Sequence, residues 1–316
     1  MSRMDLTSRL IAVASIVSLA VAGSPGFALG QDSTAWNPAR TGTLVADSSD
    51  SVGLSAKRPA EATADPGNGD PWFTRRDAFG AGIAILATVA VAPLDRPISG
   101  EFRELRWQKD EKLRSASQVL AFGGGPGPFI LGAGFYAMGK VAGSQRLASA
   151  GAHITEAVLL AAGVTAIGKG IAGRALPGIN TKEQFEWGRG FHHGNGPFVA
   201  FPSGHTAAAF ALAATLTGEA ADWHPGLQRY VGPVSYLTAT GVGLARLYQN
   251  VHWASDLPLA AAIGTWAGAT IESREHAGHR RKVIERIAEA TSIARAVNGR
   301  TMVSWSLPLT IPSGGY

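Results

Sequence analysis

Between residues 75 and 270 no stretch alternates apolar and polar residues for long enough to make a strand. The segment instead carries six apolar runs of helical character, at 78–94, 117–143, 148–168, 205–221, 230–247 and 256–271. That pattern leaves an all-α fold, a helical bundle of about six core helices. The second run is interrupted by Gly123-Gly124-Gly125-Pro126-Gly127-Pro128, where a break or kink is expected because proline removes a helical hydrogen bond. No Lys-Ser/Thr pair follows this cluster and no strand precedes it, so it does not read as a phosphate-binding loop. Residues 95–116 are charged and amphipathic and suit a helix across one end of the bundle. Residues 178–200 read as a Gly- and aromatic-rich loop.

The flanks differ in character. Arg3 and Arg9 precede or flank an apolar stretch, Leu10–Ala22, and Ala28 and Gly30 supply small residues before Gln31. Residues 1–30 therefore read as a secretory signal peptide, with a short membrane anchor as the alternative. Residues 31–70, rich in Ser, Thr, Asp, Gly and Pro, read as a disordered linker. The folded domain is expected over 71–274, followed by a tail over 275–316. In that tail a basic amphipathic helix is expected over 275–299, with Val283, Ile284, Ile287, Ala288 and Ile293 at helical spacings. A strand-like alternation follows over Met302–Leu309.

Two stretches about fifty residues apart carry the chemistry. Phe201-Pro202-Ser203-Gly204-His205-Thr206 leads into an Ala-rich helical run. Ser203 is a good helix N-cap, and the backbone N–H groups beyond it would face an anion with the positive end of the helix dipole. In the second stretch, Arg246, His252 and Asp256 stand six and four residues apart. On a helix, His252 and Asp256 would lie one turn apart, so the carboxylate could hold one ring N–H and present the other nitrogen outward. That is how an activated nucleophile is built. A metal reading is the alternative, because His192, His193, His205, His252 and Asp256 are all possible ligands. Against it, His192 and His193 are adjacent rather than a helical turn apart. Trp253 reads as a packing residue.

These motifs resemble those of the type 2 phosphatidic acid phosphatase and vanadium haloperoxidase superfamily. Its three motifs are Lys-x6-Arg-Pro, Pro-Ser-Gly-His and Ser-Arg-x5-His-x3-Asp. The second stands intact at 202–205. The third stands at 245–256 with Ala245 in place of the leading Ser. The first is degenerate: Lys169 and Pro177 are present, but Leu176 occupies the arginine position. The resemblance covers roughly 160–270 and implies a metal-independent hydrolase acting on a phosphomonoester or diphosphate, in the family's usual usage that of a lipid, without a cofactor. It implies that His252 attacks phosphorus, Asp256 holds its ring, and His205 protonates the leaving oxygen and then activates water. Lys169, Arg246, Ser203 and the Gly204 N–H would bind the phosphoryl oxygens. Arg174 is expected to stand in for the arginine missing at 176, with Arg189 as the other candidate. If neither does so, a non-catalytic phosphate- or lipid-head-binding protein is the alternative. A vanadium-dependent haloperoxidase is a further alternative, since vanadate mimics phosphate.

The chain has 316 residues, no cysteine, a net charge of +5 and a pI near 9.7. Disulfides are excluded. The basic balance suits a phosphorylated small molecule, a lipid substrate or an anionic membrane surface. The charges are dispersed and not interleaved with aromatics, so nucleic acid is not an expected partner. The leader points to an extracytoplasmic, periplasmic or secreted domain, soluble or membrane-attached. A multi-pass inner-membrane protein is the alternative. A cleaved signal followed by six crossings would place Lys169 inside, at odds with an external site, and this favours the soluble or peripheral reading.

Overall fold

The computed structural model describes residues 5–22, 73–178, 185–188, 197–224, 226–276, 291–295 and 301–305. The expected linker over 31–70 lies outside them, as do Arg189, His192 and His193.

Ten helices are present among the described residues: α1 (Leu6–Ala22), α2 (Arg75–Val91), α3 (Asp95–Phe102), α4 (Leu105–Gln108), α5 (Glu111–Gly124), α6 (Gly127–Val141), α7 (Gln145–Ala172), α8 (Gly204–Trp223), α9 (Gln228–Tyr248) and α10 (Asp256–His276). A short 3₁₀ turn, Ala92–Leu94, joins α2 to α3. The all-α class is borne out. Helix starts follow capping chemistry. Thr74 and Asp77 form a reciprocal capping box on α2, and the Asp110 and Ser144 side chains accept the first N–H groups of α5 and α7. The helix break expected at 123–128 falls between α5 and α6. The expected helix across the bundle end is divided among α3, α4 and the start of α5.

Helix α8 is the hub, packed against α7, α9 and α10. It is Ala-rich, and Ala207, Ala209, Ala211 and Ala213 are buried along it. Gly264 and Gly268 on α10 let the two backbones touch. A Cβ at Gly264 would stand 2.1 Å from the Ala207 carbonyl oxygen, and one at Gly268 would stand 2.7 Å from that of Ala211. Small residues four apart are the usual means of bringing two helices this close. The main apolar cluster joins Phe210, Val242, Leu247, Tyr248 and Leu257 to Val91, Ile98 and Phe102. Helix α1 belongs to it: Val13, Val17 and Val21 are buried against the same residues.

The outside of the bundle is also apolar. Phe79, Leu86 and Val89 on α2, Ile130 and Val141 on α6, Leu159, Ile167 and Ile171 on α7, and Val234 and Leu237 on α9 are all exposed. The spans Arg75–Phe102 and Gln145–Ala172 are long and apolar enough to cross a membrane.

The tail corrects one expectation. Helix α10 ends at His276, and part of the segment expected to continue as a helix to 299 is a strand. Thr291–Arg295 (β1) pairs antiparallel with Thr301–Trp305 (β2), with Ile293 opposite Val303. The strand expected over Met302–Leu309 is present as far as Trp305. The apolar spacing that read as helical over 275–299 did not register this cross-strand partner, which supplies β1 with its hydrogen bonds.

Candidate active site

The site lies at one end of the bundle, where α7 and α9 finish and α8 and α10 begin. Lys169 is in the last turn of α7, Ser203 caps α8, Arg246 is in the last turn of α9, and Asp256 opens α10.

Helix α7 stops at Gly173, whose left-handed backbone (φ 52°) closes the helix with a hydrogen bond to the Lys169 carbonyl. The next residues run extended against the segment before α8. Leu176 N–H donates to the Pro197 carbonyl (2.9 Å) and Ala200 N–H donates to the Arg174 carbonyl (3.0 Å). Leu176 is only half-buried, and its backbone serves this pairing. The pairing fixes the Ala200 carbonyl, which lies 2.7 Å from Nδ1 of His252. Asp256 is farther from that nitrogen, at 3.5 Å.

The holder of the imidazole is therefore first a backbone carbonyl and only second the carboxylate. His252 does not sit on a helix with Asp256 as the spacing implied. It lies in the turn between α9 and α10, entered through Asn250 at φ 54°. With Nδ1–H donated to Ala200, Nε2 keeps its lone pair. Burial pushes the His252 pKa below the usual histidine range. Lys169 and Arg246 add to this, while the Asp256 hydrogen bond and charge oppose it.

Asp256 is buried and fully engaged. One oxygen accepts the Trp253 N–H (2.7 Å), and the other accepts from Arg174. Arg174 is the clearest correction to the sequence reading. It does not stand in for a phosphate-binding arginine. Its guanidinium is buried behind Asp256, bonded to Asp256, to Ser255 Oγ (2.8 Å) and to Asp95 (2.7 Å). Trp187 and Trp253 lie 4.9 and 5.4 Å from it as cation–π neighbours. The Trp253 indole N–H donates to the Ala175 carbonyl (2.8 Å), consistent with a packing role.

Asp95 is a site residue that the sequence reading missed. It accepts from Ser255 N–H (2.8 Å) and Ser255 Oγ (2.7 Å) as well as from Arg174. Asp95, Arg174 and Asp256 thus form a buried chain of alternating charge behind the histidine. The one available signal was a carboxylate at the end of the first apolar run.

The remaining expected residues gather in front. Ser203 is buried and its hydroxyl accepts from Thr206 N–H (3.4 Å) and Thr206 Oγ1 (2.9 Å), the N-cap role expected of it. The aliphatic end of Lys169 lies against Gly204, 3.7 Å from where a Cβ would stand, and its ammonium donates to the Val199 carbonyl. Arg246 donates Nη1–H to Gln249 Oε1 (2.6 Å), and Gln249 is itself anchored on Ser117. The Arg246 Nε is buried with no hydrogen-bond partner among the described residues. A donor of that kind suits an anion.

The Gly/Pro break between α5 and α6 seats His205. A Cβ at Gly125 would come within 3.1 Å of His205 Nε2, and one at Gly124 within 2.5 Å of the His205 carbonyl oxygen. The cluster set aside as a phosphate loop thus has a different place in the site. To the side, a cavity of about 560 Å³ opens beside Arg174 and Ser255, lined by Thr88, Val89, Ala92, Pro93, Phe185 and Trp187.

With this geometry in place, the comparisons agree with the motifs. Residues 150–274 match the model of the PAP2 superfamily, which bears out the resemblance over the segment that holds the site. Over 69 residues the chain is 38% identical to a lipid A 1-phosphatase of Porphyromonas gingivalis. That alignment covers 22% of this chain and 15% of the relative's length. No solved structure matches the chain.

Proposed function

We propose that the protein is a phosphatase of lipid phosphates that works through a phosphohistidine on His252. The observation that carries this reading is the Nδ1 contact with the Ala200 carbonyl. It leaves Nε2 as the free nucleophile at a point where Lys169, Arg246 and the start of α8 converge. Nε2 attacks phosphorus and the P–O bond to the lipid breaks. His205 delivers a proton to the departing oxygen. Water then attacks phosphorus, His205 takes its proton, the P–N bond breaks and orthophosphate leaves. Lys169, Arg246 and the N–H groups following Ser203 neutralise the equatorial oxygens.

The lipid class is supported by the lipid A 1-phosphatase relative and by the apolar outer surface. The cavity beside Arg174 and Ser255 contains neither histidine, so it suits an acyl chain rather than the phosphate. We place the bundle across a bilayer as a multi-pass protein, in preference to the soluble or peripheral domain expected from the sequence. α2, the α5–α6 pair, α7, α8, α9 and α10 would make six passages, and the site lies at the end reached after α2. An extracytoplasmic site then requires the residues before α2 to lie on the cytoplasmic side. A cleaved leader would deliver them to the other side, so this reading keeps α1 as a part of the bundle.

The test is to incubate the detergent-solubilised protein with a lipid phosphate labelled in its phosphoryl group and quench it in alkali, where a phosphohistidine survives. Label on the wild-type protein, absent from His252→Ala, is expected. Turnover without any label in wild type or in His205→Ala would overturn the covalent route.

A further inference from the structure

At the other end of the same helices lies a second cluster of ionisable groups. His153 on α7, Glu219 on α8 and Glu272 on α10 are all buried. His153 Nδ1 is in direct contact with Glu219 Oε1 and lies 3.6 Å from Glu272 Oε1. One donor atom from each residue falls within 4.8 Å of the other two. At about 1.5 Å per helical residue, the cluster is roughly 20–24 Å from Lys169, His205 and Asp256 along the three helices. It therefore takes no part in phosphate chemistry.

We propose that His153, Glu219 and Glu272 form a divalent metal site for a first-row ion of the zinc class. The donor set is one imidazole nitrogen and two carboxylate oxygens, a combination that zinc accepts with a water in the fourth position. Ligands about 2.0–2.2 Å from a tetrahedral ion stand about 3.3–3.6 Å from one another. The His153–Glu272 separation already has that value, and the direct contact with Glu219 would open by about 1 Å to admit the ion.

Charge favours the same conclusion. Ionisable groups gathered inside a helix bundle are costly to bury unless they are paired or coordinate a metal. A divalent cation between a neutral imidazole and two carboxylates brings the sum to zero. The backbone also makes room for the arrangement. Gly218 lies against the Glu272 side chain, and a Cβ there would come within 2.8–3.0 Å of its Cγ, Cδ and Oε2. All three ligands stand on core helices rather than loops, the rigid placement a structural metal needs. The ion would tie together the far ends of the three helices whose near ends carry Lys169, His205 and Asp256. These residues are separate from the His192 and His193 considered from the sequence.

The full chain, purified in detergent and washed with chelator, is titrated with zinc and with cobalt(II). One equivalent of zinc per chain is expected to survive gel filtration and to raise the melting temperature by about 5–10 °C. Cobalt should give the visible absorption of a low-coordinate site. His252→Ala should bind metal as wild type does, separating this site from the catalytic one. Glu272→Gln and Gly218→Ala should lose the bound equivalent and the thermal shift. If those variants do not fold, the wild-type and His252→Ala titrations decide alone. Less than about a tenth of an equivalent of zinc, with no cobalt absorption and no thermal shift, would overturn the proposal in favour of a proton-linked ion network. Zinc binding that disappears in His252→Ala would overturn it as well, because the metal would then belong to the phosphate site.

Discussion

The two ends of the α7–α8–α10 group solve opposite electrostatic problems with the same helices. At the near end, cations dominate the front. Lys169, Arg246 and the α8 N-terminus face the proposed phosphate position, and the buried carboxylates Asp95 and Asp256 are held behind, bridged by Arg174. At the far end the carboxylates are themselves the inward-facing groups, with one histidine between them. If both proposals hold, one helix bundle presents an anion hole and a cation hole about 20 Å apart by the side of each charge that is buried. The near end uses caps, turns and an extended segment to place its groups, whereas the far end uses helical positions alone. Near-end geometry therefore depends on several backbone contacts that can be broken one at a time.

The largest effect should come from the proposed nucleophile. His252→Ala should lower turnover of a lipid phosphate by on the order of 10⁴-fold or more while leaving the melting temperature nearly unchanged. A steady-state assay beside a thermal melt checks both, and substantial residual turnover would remove the near end from catalysis.

Arg174→Met should behave differently. It strands Asp95 and Asp256 as buried charges, and about 3–5 kcal/mol of stability should be lost together with activity. Had Arg174 been a phosphate ligand, KM would rise with little change in stability, so denaturant titration with kinetics separates the two roles. Leu176→Arg, by contrast, should leave stability within about 0.5 kcal/mol, as for most surface changes.

Gly125→Ala pushes a methyl toward His205 Nε2 and should reduce kcat about 10–100-fold, a fraction of what general acid–base catalysis contributes. KM should move much less. An unchanged kcat would mean that the α5–α6 break does not position His205.

The smallest effect is on pH. Because the His252 pKa is held below the usual value of about 6.5, its neutral, nucleophilic form persists as pH falls. Activity dependent on that lone pair is lost only once the pH drops through the depressed value. The acidic limb of kcat/KM on a soluble short-chain substrate should lie below pH 6.5. A limb at or above that value would mean that the imidazole is not buried as described.

Much of the fold was legible because apolar runs and capping residues are local signals. The run 148–168 became Gln145–Ala172, and 205–221 became Gly204–Trp223. The Pro-Ser-Gly-His and Arg-x5-His-x3-Asp stretches likewise declared the near end, because their residues are neighbours in sequence. What stayed hidden depends on distant partners. Arg174 sits close to Lys169 in sequence, yet its side chain is claimed by carboxylates from α3 and α10. The Ala200 carbonyl that holds His252 has no side-chain signature at all. His153 and Glu219 lie inside apolar runs and Glu272 just past the end of another, and nothing local connects them until three helices bring them together. In the tail, helical spacing over a short basic segment concealed a strand whose partner begins at Thr301.

Helix α1 has the composition of a leader and the position of a wall. Its valine stripe packs in one cluster with Val91, Ile98 and Phe102, and Asp95, within that same stretch of chain, anchors the charges behind His252. Cutting the chain after α1 would uncover a furrow about 25 Å long at 1.5 Å per residue, beside the support of the active site. For such a molecule, the fate of its first helix is an architectural decision as much as a matter of export.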